Sequence, residues 1–173
     1  QSDAVAAADV PKSKLSVLVI RGGHAYDTPQ FEEMCKSLPG MNCDLVLTAH
    51  FERMSAKEID DRYDALLFLN QNKKYRTSDR NRKRYMDLSK RGVGMVFLQF
   101  TLSSEPEWGE YHDLVGGKWF LKKYEKNEAR HSTYFTDLKL KVKVLDPDHP
   151  TSKGLSDFTM TDVFTETSSS LRT

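Results

Sequence analysis

The chemistry available to this chain is concentrated in one short run, Arg21-Gly22-Gly23-His24-Ala25-Tyr26-Asp27. An imidazole and a carboxylate three residues apart, His24 and Asp27, can act as an acid–base pair or contribute to a metal site. The two glycines ahead of them would let a ligand's phosphate approach the backbone at a helix N-terminus, and they serve equally well as a tight exit from a strand. The run is neither a GxGxxG dinucleotide loop nor a Walker loop with its lysine, so a nucleotide site has little support.

Other residues with chemical potential are scattered. His50, His112, His131 and His149 show no HxH or HxxxH spacing, and His149 sits in Asp146-Pro147-Asp148-His149-Pro150, which reads as a rigid turn. Trp108, Tyr111 and Trp119, near Gly116-Gly117, offer flat faces with polar tips that suit sugar stacking and core packing equally. Cys35 and Cys43 fall where core residues are expected and read as small buried hydrophobes rather than nucleophiles, with a single disulfide as the alternative. Nine cations between Lys73 and Arg91 could neutralise phosphates, but the helix expected among them has an ordinary buried stripe, so a solvated helix face is the better reading.

The loop needs a strand before it and a helix after it, and the sequence supplies both. Leu15, Val17, Leu18, Val19 and Ile20 form a β-branched-rich run with almost no alternation, as in a strand buried on both faces. Thr28 and Pro29 look like a helix start, a capping hydroxyl followed by a ring pre-set for the first turn. Phe31, Met34, Cys35 and Leu38 then recur at the spacing of a core-facing stripe. Further along, Cys43 to Thr48, Ala65 to Leu69 and Val93 to Leu98 read as strands, and Ser55 to Asp61 as a short helical turn. Ser78 should cap a helix running to about Lys90, with Asn81, Tyr85 and Leu88 on one face. Glu110 to Val115 reads as a short helix.

This alternation predicts an α/β fold, an open and mostly parallel sheet flanked by helices. In such a sheet, ligands bind at the carboxyl ends of the strands, where the Gly22–Asp27 loop would lie. Leu138 to Leu145 alternates apolar residues with lysines and is expected as an antiparallel edge strand. The tail from Thr159 holds few large apolar residues and is not expected to form another buried strand.

At 173 residues the chain suits one domain, and a net charge of +1 supplies no field to draw it to nucleic acid. No apolar run approaches the roughly 18 residues a membrane span needs. Residues 1–14 read as a flexible leader, 15–164 as the domain and 165–173 as a polar tail. The small, polar, Ala-rich start favours a periplasmic or secreted protein, with a cytoplasmic one left open.

Several of these segments together resemble the ThuA-like (trehalose-utilisation) family, over about Leu15 to Phe164. The resemblance rests on Val19-Ile20-Arg21-Gly22-Gly23-His24 through Asp27 and Phe31, then Tyr63-Asp64-Ala65-Leu66, and Gly92-Val93-Gly94-Met95-Val96-Phe97-Leu98. It continues through Trp108-Gly109-Glu110-Tyr111, Leu114-Val115-Gly116-Gly117, Asp146 to Thr151 and Gly154 to Phe158. It implies a flavodoxin-like fold of the class I glutamine-amidotransferase-like kind and a role in disaccharide or keto-sugar utilisation. Carried over residue by residue, it implies a pocket made by Gly22, Gly23, His24 and Asp27, with Trp108 and Tyr111 nearby.

The departures from the family pattern are specific. Gln99 and Phe100 stand where the family usually has a His-His pair, and Phe135 follows Ser132-Thr133-Tyr134 where a His is common. No Gly-His motif occurs beyond Phe164. Gln99-Phe100 also occupies the elbow where amidotransferase-like folds carry a reactive Cys, and a carboxamide cannot serve as nucleophile or base, so thiol catalysis is rejected. The expected roles are therefore His24 as acid–base group, Asp27 as its orienting or ligating partner, and Gln99 as a substrate contact. No cofactor is assigned, a divalent metal stays open, and the expected partner is a small carbohydrate; homo-oligomerisation is also open. The competing reading is a non-catalytic carbohydrate-binding or partner-binding member with a degenerate site.

Overall fold

The eight residues from Leu15 to Gly22, all apolar or small except Arg21, form β1, and Val17, Leu18, Val19 and Ile20 are all buried, as a strand covered on both faces requires. The structure, a computed structural model, describes residues 14–72, 77–121 and 131–167. Most of the expected leader, the tail beyond Thr167, and Lys73, Lys74 and Arg76 of the basic run lie outside these residues. The chain divides into two compact units at Lys118/Trp119.

In the first unit, α1 (Thr28–Ser37), β2 (Met41–Leu47), α2 (Thr48–Phe51), α3 (Ala56–Arg62), β3 (Ala65–Asn70), α4 (Asp79–Lys90), β4 (Gly94–Phe97) and α5 (Gly109–Val115) follow β1. A short 3-10 turn, Gln99–Ser103, leaves β4. The four strands form one parallel sheet in the order β2-β1-β3-β4. The fold class expected from the sequence, an open parallel α/β sheet flanked by helices, is what the chain adopts.

Alternate residues of the strands feed two apolar layers. Leu18, Ile20, Leu66 and Phe68 face one side, where Phe51, Ile59, Tyr85, Leu88, Trp108 and Tyr111 close over them. Val17 and Val19 face the other side and meet Cys35, with Phe31, Cys43, Leu45 and Leu67 at the margin. Each fully buried Leu or Phe contributes about 2–3 kcal/mol by leaving water.

The helices start where local chemistry allows. Ser55 and Ser78 accept hydrogen bonds from Glu58 N and Asn81 N, capping α3 and α4. The cap of α1 differs from expectation. Asp27, not Thr28, is the N-cap, and its Oδ1 accepts from Gln30 N at 3.2 Å. Met34 of the expected stripe is exposed, because α1 buries little beyond Cys35 and Phe31.

The basic helix is not uniformly solvated either. Arg84 is buried, stacks on the Phe51 ring at 4.7 Å, and donates from Nη1 to the carbonyls of Glu52 and Met54. Burial pushes its guanidinium pKa down. Its role is to fasten the α2–α3 connection to α4.

In the second unit, β5 (Ser132–Val142) pairs antiparallel with β6 (Phe158–Thr167) as a two-stranded sheet with a register shift between Phe135 and Leu138. The expected edge strand thus starts earlier than Leu138, and its partner is the tail itself, which forms an exposed strand. Leu138, Leu140 and Val142 share a face with Met160 and Phe158, while Lys139 and Lys141 share the other with Thr161 and Thr159.

Candidate functional site

The order β2-β1-β3-β4 reverses direction between β1 and β3, so the crevice outside their carboxyl ends is the topological switch point, where open α/β sheets bind ligands. Gly22 pairs with Asn70 at that end, and Gln71 N donates to Gly22 O at 2.9 Å. Gly23 has φ +82° and lies directly against the Gln71 backbone; a Cβ there would overlap the Gln71 carbonyl oxygen and stand 2.9 Å from its carbon. Gly22, at φ +130°, adopts a conformation that side chains oppose, although a Cβ there would make only ordinary contacts, with Thr48 Oγ1 at 3.7 Å and Leu47 Cδ2 at 3.9 Å. The paired glycines are therefore a close backbone crossing between the loops after β1 and β3.

That crossing delivers His24 to the surface. Its ring lies parallel to Phe100, with centroids 3.5 Å apart and planes 14° from parallel. Nδ1 is 2.6 Å from the Ala25 carbonyl oxygen. A carbonyl only accepts, so Nδ1 is the donor in this bond, and Nε2 is the nitrogen left to act as an acceptor toward a ligand. Gln99, one residue before Phe100, is exposed and has φ +39°. The elbow after β4 thus keeps a left-handed backbone with a carboxamide at its tip, a group that can donate and accept hydrogen bonds.

The other expected site residues go elsewhere. Asp27 is committed to the α1 cap, and the orienting group on His24 is the Ala25 carbonyl. Trp108 and Tyr111 are buried, 4% and 2% exposed, and pack with Tyr85 in the core; the Arg82 guanidinium lies 5.2 Å over Trp108. The Tyr111 hydroxyl donates to the Thr101 carbonyl at 3.1 Å, and burial pushes its pKa well up, so it remains a neutral donor. Trp119 belongs to the second unit, beside Tyr134. Among the described residues no three His, Cys, Asp or Glu side chains group as metal ligands. Neither Cys35 nor Cys43 lies in the loops at this crevice; they sit on α1 and β2.

What the motifs did not single out is the scaffold under the loops. Glu105 is buried, has φ +50°, and accepts from Asn72 Nδ2 (2.7 Å), from Thr77 N (3.2 Å) and from Thr77 Oγ1. Ser104 Oγ accepts from Asn72 N, and Gln71 Nε2 donates to Ser103 Oγ at 2.6 Å. These bonds tie the loop after β3 to the loop after β4, and Gln71 passes the constraint to Gly22 and Gly23. The polar stretch from Asn70 was the visible signal; its partner 33 residues away was not.

The separation of Asp27 from the imidazole has a measurable consequence. Asp27→Ala should lower stability by about 1 kcal/mol, the usual worth of an N-cap, and leave the His24 tautomer unchanged. Urea denaturation and the imidazole nitrogen shifts of His24 check the two halves.

A family model described as ThuA, trehalose utilisation, matches residues 16–169. Among solved structures, one from Bacteroides uniformis described as a ThuA-like protein aligns with a TM-score of 0.59 at 15% identity, covering 93% of this chain and 63% of that one. At that identity the likeness concerns the fold, and the chain spans less than two thirds of that protein's length. No curated protein matches the chain.

Proposed function

Because the chain belongs to the ThuA, or trehalose utilisation, family, we propose that it serves carbohydrate utilisation by binding a small sugar, of disaccharide or keto-sugar type, at the carboxyl ends of β1, β3 and β4. The observation that carries this reading is the stacking of His24 on Phe100, the residue next to Gln99, beside the switch point between β1 and β3. Sugar hydroxyls need paired donors and acceptors. Nε2 of His24 supplies an acceptor, and the Gln99 carboxamide supplies both kinds. In a reacting complex, Nε2 is also the group able to take a proton from a carbon next to a keto group or from an attacking water. The Ala25 carbonyl holds the hydrogen on Nδ1 and so leaves Nε2 as the accepting nitrogen.

A binding-only member of the family is the second reading, favoured by a single observation: no carboxylate hydrogen-bonds the imidazole among the described residues. A melting panel of disaccharides, monosaccharides and their keto derivatives, run with and without chelator, tests the shared claim. At least one sugar should raise Tm at millimolar concentration. A panel with no shift would overturn the proposal. Turnover of the stabilising sugar, lost in His24→Ala with binding largely kept, separates an enzyme from a binding module.

A further inference from the structure

Cys35 stands near the end of α1 and Cys43 near the start of β2, on either side of the Pro39-Gly40 turn. Cys35 is 1% exposed and packs with Val17 and Val19; Cys43 is half-buried at the edge of the same cluster. Both are free thiols, and Val17, against which Cys35 packs, is the residue on β1 that pairs with Cys43. Two thiols at one apolar cluster, on either side of a short turn, form a potential covalent site.

We propose that Cys35 and Cys43 form a disulfide that fastens α1 to the sheet when the protein meets a small-molecule disulfide oxidant. The half-exposed Cys43 is the entry point. Its thiolate attacks one sulfur of glutathione disulfide, the S–S bond breaks, and one glutathione leaves as thiolate. Cys35 then loses its proton to solvent and attacks the Cys43 sulfur, displacing the second glutathione. The two cysteines give up two electrons and two protons, and these appear in two molecules of reduced glutathione.

Burial raises both thiol pKa values. The Cys43 thiol and the Glu32 carboxylate on α1 add to the effect at Cys35, and Asp44 on β2 adds to it at Cys43. Thiolate is therefore scarce at neutral pH, and the exchange is slow rather than absent. The bond bears on the site because the N-cap of α1 is Asp27, three residues after His24.

The folded full chain, equilibrated in glutathione redox buffer, denatured and alkylated, gives the test by mass spectrometry. The account expects a species lighter by two hydrogens, a linked peptide joining Cys35 to Cys43, reversal by dithiothreitol, and a Tm raised by several degrees. Cys35→Ser should stop at a glutathione on Cys43. Full alkylation of both cysteines after equilibration, or wild-type protein that retains glutathione on Cys43, would overturn the proposal.

Discussion

Gly23→Ala is expected to lower stability by about 3 kcal/mol and to abolish ligand binding at the carboxyl end of the sheet. Two independent terms add. The backbone at Gly23 has φ +82°, where a Cβ costs about 1–2 kcal/mol on its own. The new methyl would also occupy the volume of the Gln71 carbonyl, which is backbone and cannot rotate away. Either the loop after β1 lifts off, breaking the bond from Gln71 N to Gly22 O, or the loop after β3 moves with its ties to Ser103 and Ser104. His24 leaves Phe100 in both cases. Gly22→Ala is the control, since its φ of +130° also opposes a side chain but a Cβ there meets nothing closer than 3.7 Å, so the cost should be smaller. Urea denaturation of the two variants gives the ordering, and equal costs would mean that the close crossing does not exist.

Glu105→Ala is expected to be of similar size, about 3 kcal/mol, for a different reason. Removing the carboxylate strands two buried donors, Thr77 N and Thr77 Oγ1, and the part-buried Asn72 Nδ2, and unmade buried hydrogen bonds of this kind cost about 1–3 kcal/mol each before water re-enters. Glu105→Gln keeps one acceptor oxygen but turns an amide donor toward another donor, so roughly half the loss should remain. The positive φ makes a further distinction. Glycine is ordinarily worse than alanine by about 0.5–1 kcal/mol, but at φ +50° alanine should be the worse replacement. Denaturant midpoints for the three variants, with amide exchange at Gln71 and Asn72, report both the energy and its location.

The parts of the fold visible in the sequence are those written in local pattern. Val17 to Ile20 had no alternation and is buried on both sides; Ser78, Tyr85 and Leu88 had helical spacing and form the cap and inner face of α4. The Gly22–Asp27 loop could be placed because strand and helix on either side were unambiguous.

What escaped was long-range. Asp27 and Thr28 are both competent caps, and only the bond to Gln30 N separates them. Trp108 and Tyr111 were balanced between stacking and packing until α5 turned both into the core. The β5–β6 pairing was hidden because an exposed ribbon needs few large apolar residues, so its second strand carried no burial signal. Glu105 belongs to no motif, since its meaning arises when two loops 33 residues apart meet at one end of a sheet. The imidazole was legible from sequence, whereas its orienting carbonyl and its Phe100 platform were not.

The most direct test of the central claim is the carbohydrate melting panel carried out in parallel on the wild type and on a His24→Ala Gln99→Ala double variant. Both side chains are exposed, so the variant should fold with nearly unchanged stability. The account predicts that a disaccharide or keto-sugar raises the wild-type Tm and that the shift disappears in the variant. An undiminished shift in the variant, or no shift by any sugar in the wild type, would contradict it.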